Sequence, residues 1–161
     1  MTTTPLYISV SGSGDAPPEV SALAEEVGSL LAEAGAVVVC GGLGGVMEAV
    51  CRGAKSAGGT TVGILPGTVR SDANDFVDVA LPTGLGESRN ALVARAADAL
   101  IAIGGEFGTL SEIGLALKIG KPVVGLGTWE LQRLGEVVDA IEPAATPSEA
   151  VNLALRLARG A

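Results

Sequence analysis

The chain has 161 residues, a net charge of −8 and no histidine. That length suits one domain, residues 1–161, which buries roughly two-thirds of its chain surface around one core. The acidic balance and the few aromatic residues (Tyr7, Phe76, Phe107 and Trp129) argue against a nucleic-acid partner, which calls for basic patches and stacking rings. Without histidine there is no Ser-His-Asp triad and no imidazole ligand. Cys40 and Cys51 have no further ligands at metal-site spacing and read as reduced, buried thiols. Met1-Thr2-Thr3-Thr4-Pro5 lacks the basic start of a signal peptide, and uncharged stretches such as residues 34–47 are broken by glycine and too short to cross a bilayer. The expectation is a soluble, cytoplasmic protein with neither membrane nor nucleic-acid partner.

Short β-branched runs alternate with longer helical ones. Residues 6–10 predict a first strand, ending in Ser11-Gly12-Ser13-Gly14. Pro17 and Pro18 suit a helix start. Val20, Leu23, Ala24, Val27, Leu30 and Leu31 then form the stripe of a helix packed on a sheet, and Gly35 stops it. Residues 36–40 are all apolar, a strand covered on both faces. Gly41-Gly42-Leu43-Gly44-Gly45 leads into a helix carrying Met47, Val50, Cys51 and Ala54, which Gly58-Gly59 ends. Residues 60–65 predict a third strand, 68–75 a loop, and 76–81 a short strand near an edge. A helix follows over 88–97, a buried strand over 99–103, a helix over 110–119 and a strand over 122–126. Residues 129–145 are ambiguous, with a short helix and a weak strand at 137–141 expected. Thr146-Pro147-Ser148-Glu149 reads as a capping box opening a last helix to about residue 158. The alternation predicts a single Rossmann-like, doubly wound, mostly parallel sheet of six or seven strands with helices on both faces.

In such sheets ligands sit beyond the carboxyl ends of the strands, where the strand order reverses. The glycine clusters all fall at those ends. Gly41, Gly42, Gly44 and Gly45 precede a helix whose first N–H groups and positive dipole end suit phosphate. The turn is not a Walker A loop, because no Gly-Lys-Ser/Thr follows. Ser11, Gly12 and Ser13 form the first strand–helix turn and are ligand candidates for the same reason. Gly104-Gly105-Glu106-Phe107-Gly108 is a second glycine-rich turn, and Thr109 with Glu112 has capping-box spacing, so Glu112 reads either as a cap or as a functional carboxylate. Arg89 stands in the first turn of its helix, where a cation is disfavoured unless it faces an anion, either Glu112 or a bound phosphate.

Taken in order, these residues resemble the LOG (lysine decarboxylase-like) family, in its short branch related to molybdenum cofactor carrier proteins. The resemblance rests on Gly41-Gly42-Leu43-Gly44-Gly45-Val46-Met47-Glu48-Ala49, Gly63-Ile64-Leu65-Pro66-Gly67, Thr83-Gly84-Leu85-Gly86-Glu87-Ser88-Arg89-Asn90 and Gly104-Gly105-Glu106-Phe107-Gly108-Thr109-Leu110-Ser111-Glu112. It implies a Rossmann-like fold and a homo-oligomer, a dimer or a tetramer of dimers. It extends the ligand-binding set to Val46, Met47, Pro66, Asn90, Gly104, Gly105, Gly108 and Thr109. Catalytic LOG proteins hydrolyse the N-glycosidic bond of nucleoside 5′-monophosphates to base and ribose 5-phosphate. In that case Glu112 would stabilise an oxocarbenium-like state or direct water to it, and Arg89 would orient Glu112 or the nucleotide. The chain departs from the catalytic motif at Gly104, Glu106 and Asn90, where Pro, Gly and Lys are expected. The expectation is therefore a carrier for a small phosphate ligand, with no tightly required cofactor and no metal. Its occupant would be a nucleotide, phosphate or molybdopterin cofactor. A phosphoribohydrolase is the alternative, and a nucleotide-sensing subunit a second one.

Overall fold

A computed structural model describes residues 3–160. The elements run β1 (Tyr7–Gly12), α1 (Pro18–Glu33), β2 (Val37–Cys40), α2 (Val46–Ser56), β3 (Thr60–Leu65), β4 (Val79–Pro82), α3 (Asn90–Ala96), β5 (Ala99–Ile103), α4 (Phe107–Lys118), β6 (Val123–Leu126), β7 (Gln132–Arg133), β8 (Glu136–Val137), β9 (Glu142–Ala144) and α5 (Pro147–Ala158), with 3-10 turns at Arg70–Asp72 and Gly86–Arg89. Seven strands form one sheet in the order β4-β3-β2-β1-β5-β6-β9. Every pairing in it is parallel. The chain walks outward from β1 to β4, then crosses back to β5 on β1's other side. The order therefore reverses between β1 and β5, which lie in register with Ser11 beside Ala102 and Gly12 beside Ile103.

Strand alternation sorts the core into two layers. Ile8, Val10, Val38, Cys40, Ala99, Ile101 and Ile103 face α1, α2 and α5. Leu100, Ala102 and Val123 face the other way, onto Ala94 of α3 and Ile113 and Ala116 of α4. With so few aromatics, density comes from close backbone approach. A Cβ on Gly28 would overlap the carbonyl of Val50, and one on Gly53 would overlap that of Glu25, so α1 and α2 touch through their glycines. Cys40 and Cys51 are buried free thiols with sulfurs 3.5 Å apart.

Several elements differ from their sequence reading. The strand expected over 76–81 begins at Val79, because Asn74 holds residues 74–77 in a turn: its carbonyl and side-chain oxygens accept from Val77 N and Phe76 N. That strand does lie at the sheet edge. Residues 129–145 hold no helix. They form the antiparallel hairpin β7–β8, turned by Leu134 and Gly135 at φ 55° and 81°, and then edge strand β9. The helix expected over 88–97 is split into a 3-10 turn and α3. Before α5, Thr146 Oγ1 accepts from Glu149 N, the expected cap, and Glu149 accepts in return from Ala145 N, one residue before the N-cap. Among the described residues no helix is long and apolar enough to cross a membrane, and no group of three His, Cys, Asp or Glu is placed to hold a metal ion.

The glycine contact between α1 and α2 is testable. Gly53→Ala should force the helices apart and lower stability by about 1–3 kcal/mol, read as a shifted urea midpoint with the slope unchanged.

Candidate functional site

The strand-order reversal draws four chain segments together. Ser11 closes β1. Gly41 and Met47 flank the turn from β2 into α2. Arg89 and Asn90 join the 3-10 turn to α3, and Thr109 and Glu112 lie in the first two turns of α4. Ser11, Arg89, Asn90, Thr109 and Glu112 are all buried polar residues. Arg89 Nη1 stands 3.8 Å from Glu112 Oε1 and also donates to Asn90 Oδ1. Asn90 Nδ2 donates to Ser111 Oγ at 3.0 Å, and Ser111 in turn donates to Gly108 O at 2.6 Å. This chain of contacts locks the start of α3 to the start of α4.

The capping-box reading of Glu112 does not hold. Helix α4 begins at Phe107 with Glu106 as its N-cap, three residues before the expected start, so Thr109 and Glu112 lie inside the helix. Glu112 is 7% exposed. Burial pushes its carboxyl up to about 7, against the opposing pull of the Ser11 hydroxyl and the Arg89 guanidinium. Desolvation wins because one guanidinium at 3.8 Å makes only a loose pair. Ser11 Oγ lies close enough to favour the charged form, yet it completes a hydrogen bond with no partner. Arg89 Nε and Thr109 Oγ1 are buried and unpartnered as well. Three orphaned polar atoms in one cluster are costly in a native interior and signal a polar centre with a role beyond packing.

The glycines divide by what their missing side chains make room for. A Cβ on Gly41 would stand 2.6 Å from Arg89 Nη2 and 2.7 Å from Met47 Sδ, so Gly41 is the seat of the guanidinium. Gly12 admits Val46, Gly42 admits Leu65, and Gly45 admits the backbone of Ser13 and Gly14. Packing thus accounts for Gly12, Gly42 and Gly45, whose space is already filled. Val46 is fully buried and its N–H goes to Ser13 O at 2.9 Å, while Ser13 Oγ accepts from Asp15 N. These two residues therefore dock the first turn on the second. Gly44 is half-buried and less crowded, its nearest contact being Gly14 O at 3.3 Å from a Cβ. Neither α2 nor α4 has a side-chain cap. Gly105 adopts φ 101° against Thr109, Gly108 has open space where a side chain would project, and a Cβ on Gly104 would meet Val20 only at 3.9 Å. Pro66 lies one strand further out, where its carbonyl accepts from Gly86 N and so holds the 3-10 turn that delivers Arg89.

Three organising residues escape a reading of motifs. Asn74, from the loop before β4, donates through its backbone N–H to Gly42 O and through Nδ2 to Leu43 O, tying down the glycine turn. Ser111 bridges α3 and α4, and Thr128 Oγ1 donates to Gly104 O at 2.5 Å. Asn, Ser and Thr are common loop residues whose partners lie far off in sequence. The one usable signal is that Asn74 is a turn-forming residue between two strand runs.

Fold and cluster together define a Rossmann-like α/β domain with a buried Arg–Glu centre at its switch point. Comparison with known proteins supplies the family. The model described as the SLOG cluster4 family matches residues 5–151, and the chain belongs to that family. It is 44% identical over 147 residues to an uncharacterised protein of Archaeoglobus fulgidus, covering 91% of this chain and 93% of that one. It is 35% identical over 121 residues to a cytokinin riboside 5′-monophosphate phosphoribohydrolase of Mycobacterium tuberculosis, covering 69% of this chain and 64% of that one. Among solved structures it is similar to the molybdenum cofactor binding protein of Rippkaea orientalis, with a TM-score of 0.89, 36% identity and coverage of 97% and 99%. It is also similar to the molybdenum cofactor carrier protein of Chlamydomonas reinhardtii, with a TM-score of 0.81, 34% identity and coverage of 96% and 98%.

The raised carboxyl links the site to stability. Between pH 4.5, the ordinary value, and about 7 the unfolded chain releases a proton that folded Glu112 retains. Stability should therefore fall as pH rises through that window, by up to about 3 kcal/mol. Urea titrations across the window should show this slope in the native sequence and a flatter one in Glu112→Gln.

Proposed function

We propose that the chain binds a phosphate-bearing small molecule, a nucleotide or a molybdopterin-type cofactor, in the crevice over β1, β2 and β5, and holds it as a carrier. The observation that carries this reading is the buried Arg89 guanidinium, seated on Gly41 beside a helix start without a side-chain cap. An arginine fork and free backbone N–H groups are what a phosphate needs. Gly41, Gly44, Met47, Arg89 and Asn90 form the anion end. Ser11, Thr109 and Glu112 line the middle, and Gly104, Gly105 and Gly108 form the far rim. Ser11 Oγ, Arg89 Nε and Thr109 Oγ1 are buried without partners just behind that surface. The molybdenum cofactor proteins of R. orientalis and C. reinhardtii, similar over nearly the whole chain, support a carrier. Assembly into a dimer or tetramer, in the cytoplasm, belongs to the same proposal.

One observation favours a second reading. A carboxyl at about 7 beside an arginine can exchange a proton at neutral pH, as hydrolysis of an N-glycosidic bond requires. The partial match to the M. tuberculosis phosphoribohydrolase points the same way. Against it stand Asn90, which occupies the lysine position of the catalytic motif and is tied to Arg89 and Ser111, and the exposed carboxylate of Glu106 at the second turn.

Titration calorimetry with AMP, alongside an assay for ribose 5-phosphate, separates the two. The carrier reading expects saturable binding, weakened about 10–100-fold in Arg89→Ala, with no ribose 5-phosphate released. Sustained release that disappears in Glu112→Gln, with the fold intact, would establish the hydrolase instead.

A further inference from the structure

The three nitrogens of the Arg89 guanidinium meet three different surroundings. Nη1 donates to Asn90 Oδ1 and stands 3.8 Å from Glu112 Oε1. Nη2 faces Gly41, where a Cβ would come within 2.6 Å of it. Nε is buried without a partner. One cation therefore lies between a carboxyl on α4 and the glycine turn that opens α2. The side chains of Arg89 and Glu112 keep 10% and 9% of their surface exposed, so the pair is not sealed from solvent.

Arg89 is the one cation within reach of Glu112. Strands β5 and β6, on which α4 packs, carry only apolar residues and glycine. β1 offers the neutral Ser11 hydroxyl. β2 offers Cys40, a buried thiol near enough to feel the charges of both Glu112 and Arg89. Glu87 and Arg95, on either side of Arg89 in the chain, are exposed. Asp98 and Lys121 precede β5 and β6, and Lys118 ends α4, so all three lie at the opposite edge of the sheet. An oxyanion arriving at the turn at residues 41–45 is thus a second claimant on a single guanidinium. A phosphate carries more charge than a carboxylate and matches the arginine fork, so it takes the larger share. The carboxyl it displaces is left beside a like charge with less cation to offset it, and both changes favour its protonated form.

We propose that Glu112 is a proton-linked release switch: a phosphate settling on Arg89 and the turn at residues 41–45 brings one solvent proton onto the Glu112 carboxyl, and loss of that proton returns Arg89 to Glu112 and drives the phosphate out. The switch rests on the phosphate reading of the site. Burial already pushes the free carboxyl up to about 7, and a bound anion pushes it further the same way. Above that value the bound state holds more protons than the free state, so affinity falls as pH rises, by up to about tenfold per pH unit. Below it the free carboxyl already carries its proton, and affinity levels off until the phosphate monoester itself protonates near about pH 6. The chain loads on the acid side of neutrality and releases on the alkaline side.

Calorimetry with ribose 5-phosphate and with AMP, in two buffers of different ionisation enthalpy, counts the protons taken up on binding. Ribose 5-phosphate has no base to lose, so it reports the switch whether or not AMP is cleaved. At about pH 8 the native chain should take up roughly 0.5–1 proton per ligand, and its affinity should fall about 5–10-fold over the next pH unit. Glu112→Gln should bind without proton uptake, hold one affinity from about pH 7 to 9, and at about pH 9 bind about tenfold or more tighter than the native chain. Glu106→Gln, which removes an exposed carboxylate at the second glycine turn, should keep the native uptake. Should Glu112→Gln fail to fold, the proton count and pH slope of the native chain decide the matter alone. Native binding without proton uptake overturns the switch while the phosphate reading stands. So does equal uptake in Glu112→Gln, weaker binding by that variant at about pH 9, or uptake that disappears in Glu106→Gln. If neither compound binds at any pH from about 6 to 9, the phosphate reading fails and the switch fails with it.

Discussion

Arg89 and Glu112 meet where β1, β2, α3 and α4 converge, and the site is organised around that contact. A buried ion pair seldom stabilises a fold relative to apolar residues of the same volume, because both charges lose their water. This one is loose at 3.8 Å, and Glu112 gives up part of its charge, its carboxyl being pushed up to about 7. A pair selected only for stability would be closer, bidentate and free of orphaned neighbours. The surrounding structure instead holds the guanidinium in place from several sides. Gly41 leaves room for it, Asn90 accepts from it, and Pro66 fixes the turn that carries it.

The topology explains why those parts arrive together. A parallel sheet sends every strand–helix turn to the same edge, and the reversal between β1 and β5 leaves a gap that no crossover helix covers. The turns at residues 11–14 and 41–45 fill part of that gap by docking on each other through Gly12, Val46, Ser13 and Gly45. Arg89, Glu112 and the turn at residues 41–45 therefore lie on one edge of the sheet, with Gly104 and Gly105 on the same edge two strands away.

Much of this was legible in the sequence, and the gaps have physical causes. β3 and β5 match their expected bounds, because short β-branched or apolar runs closed by Pro66-Gly67 and Gly104-Gly105 have few alternatives. The convergence of Arg89 with Glu112 was also readable, because a cation at a helix start needs an anion. Helix α4 was misread at its start: the Thr109-x-x-Glu112 spacing imitates a cap, whereas Gly105 at φ 101° starts the helix earlier and turns Glu112 inward. The glycines at residues 41–45 also serve packing, since Gly42 and Gly45 are required by neighbouring chain segments. The hairpin at residues 132–137 was illegible because its strands are two residues long and exposed, which leaves no hydrophobic period to detect. The aromatic contact between Phe107, at the start of α4, and Trp129, in the loop after β6, could be found only in three dimensions.

The central claim is that a ligand's phosphate lies against Arg89 and the turn at residues 41–45. A crystal structure of the chain with bound GMP tests it most directly. The account predicts phosphate density within hydrogen-bond distance of the Arg89 guanidinium and the backbone N–H groups beside Gly44. Phosphate at the start of α4, beside Gly105 and Thr109, or outside the crevice altogether, would contradict it.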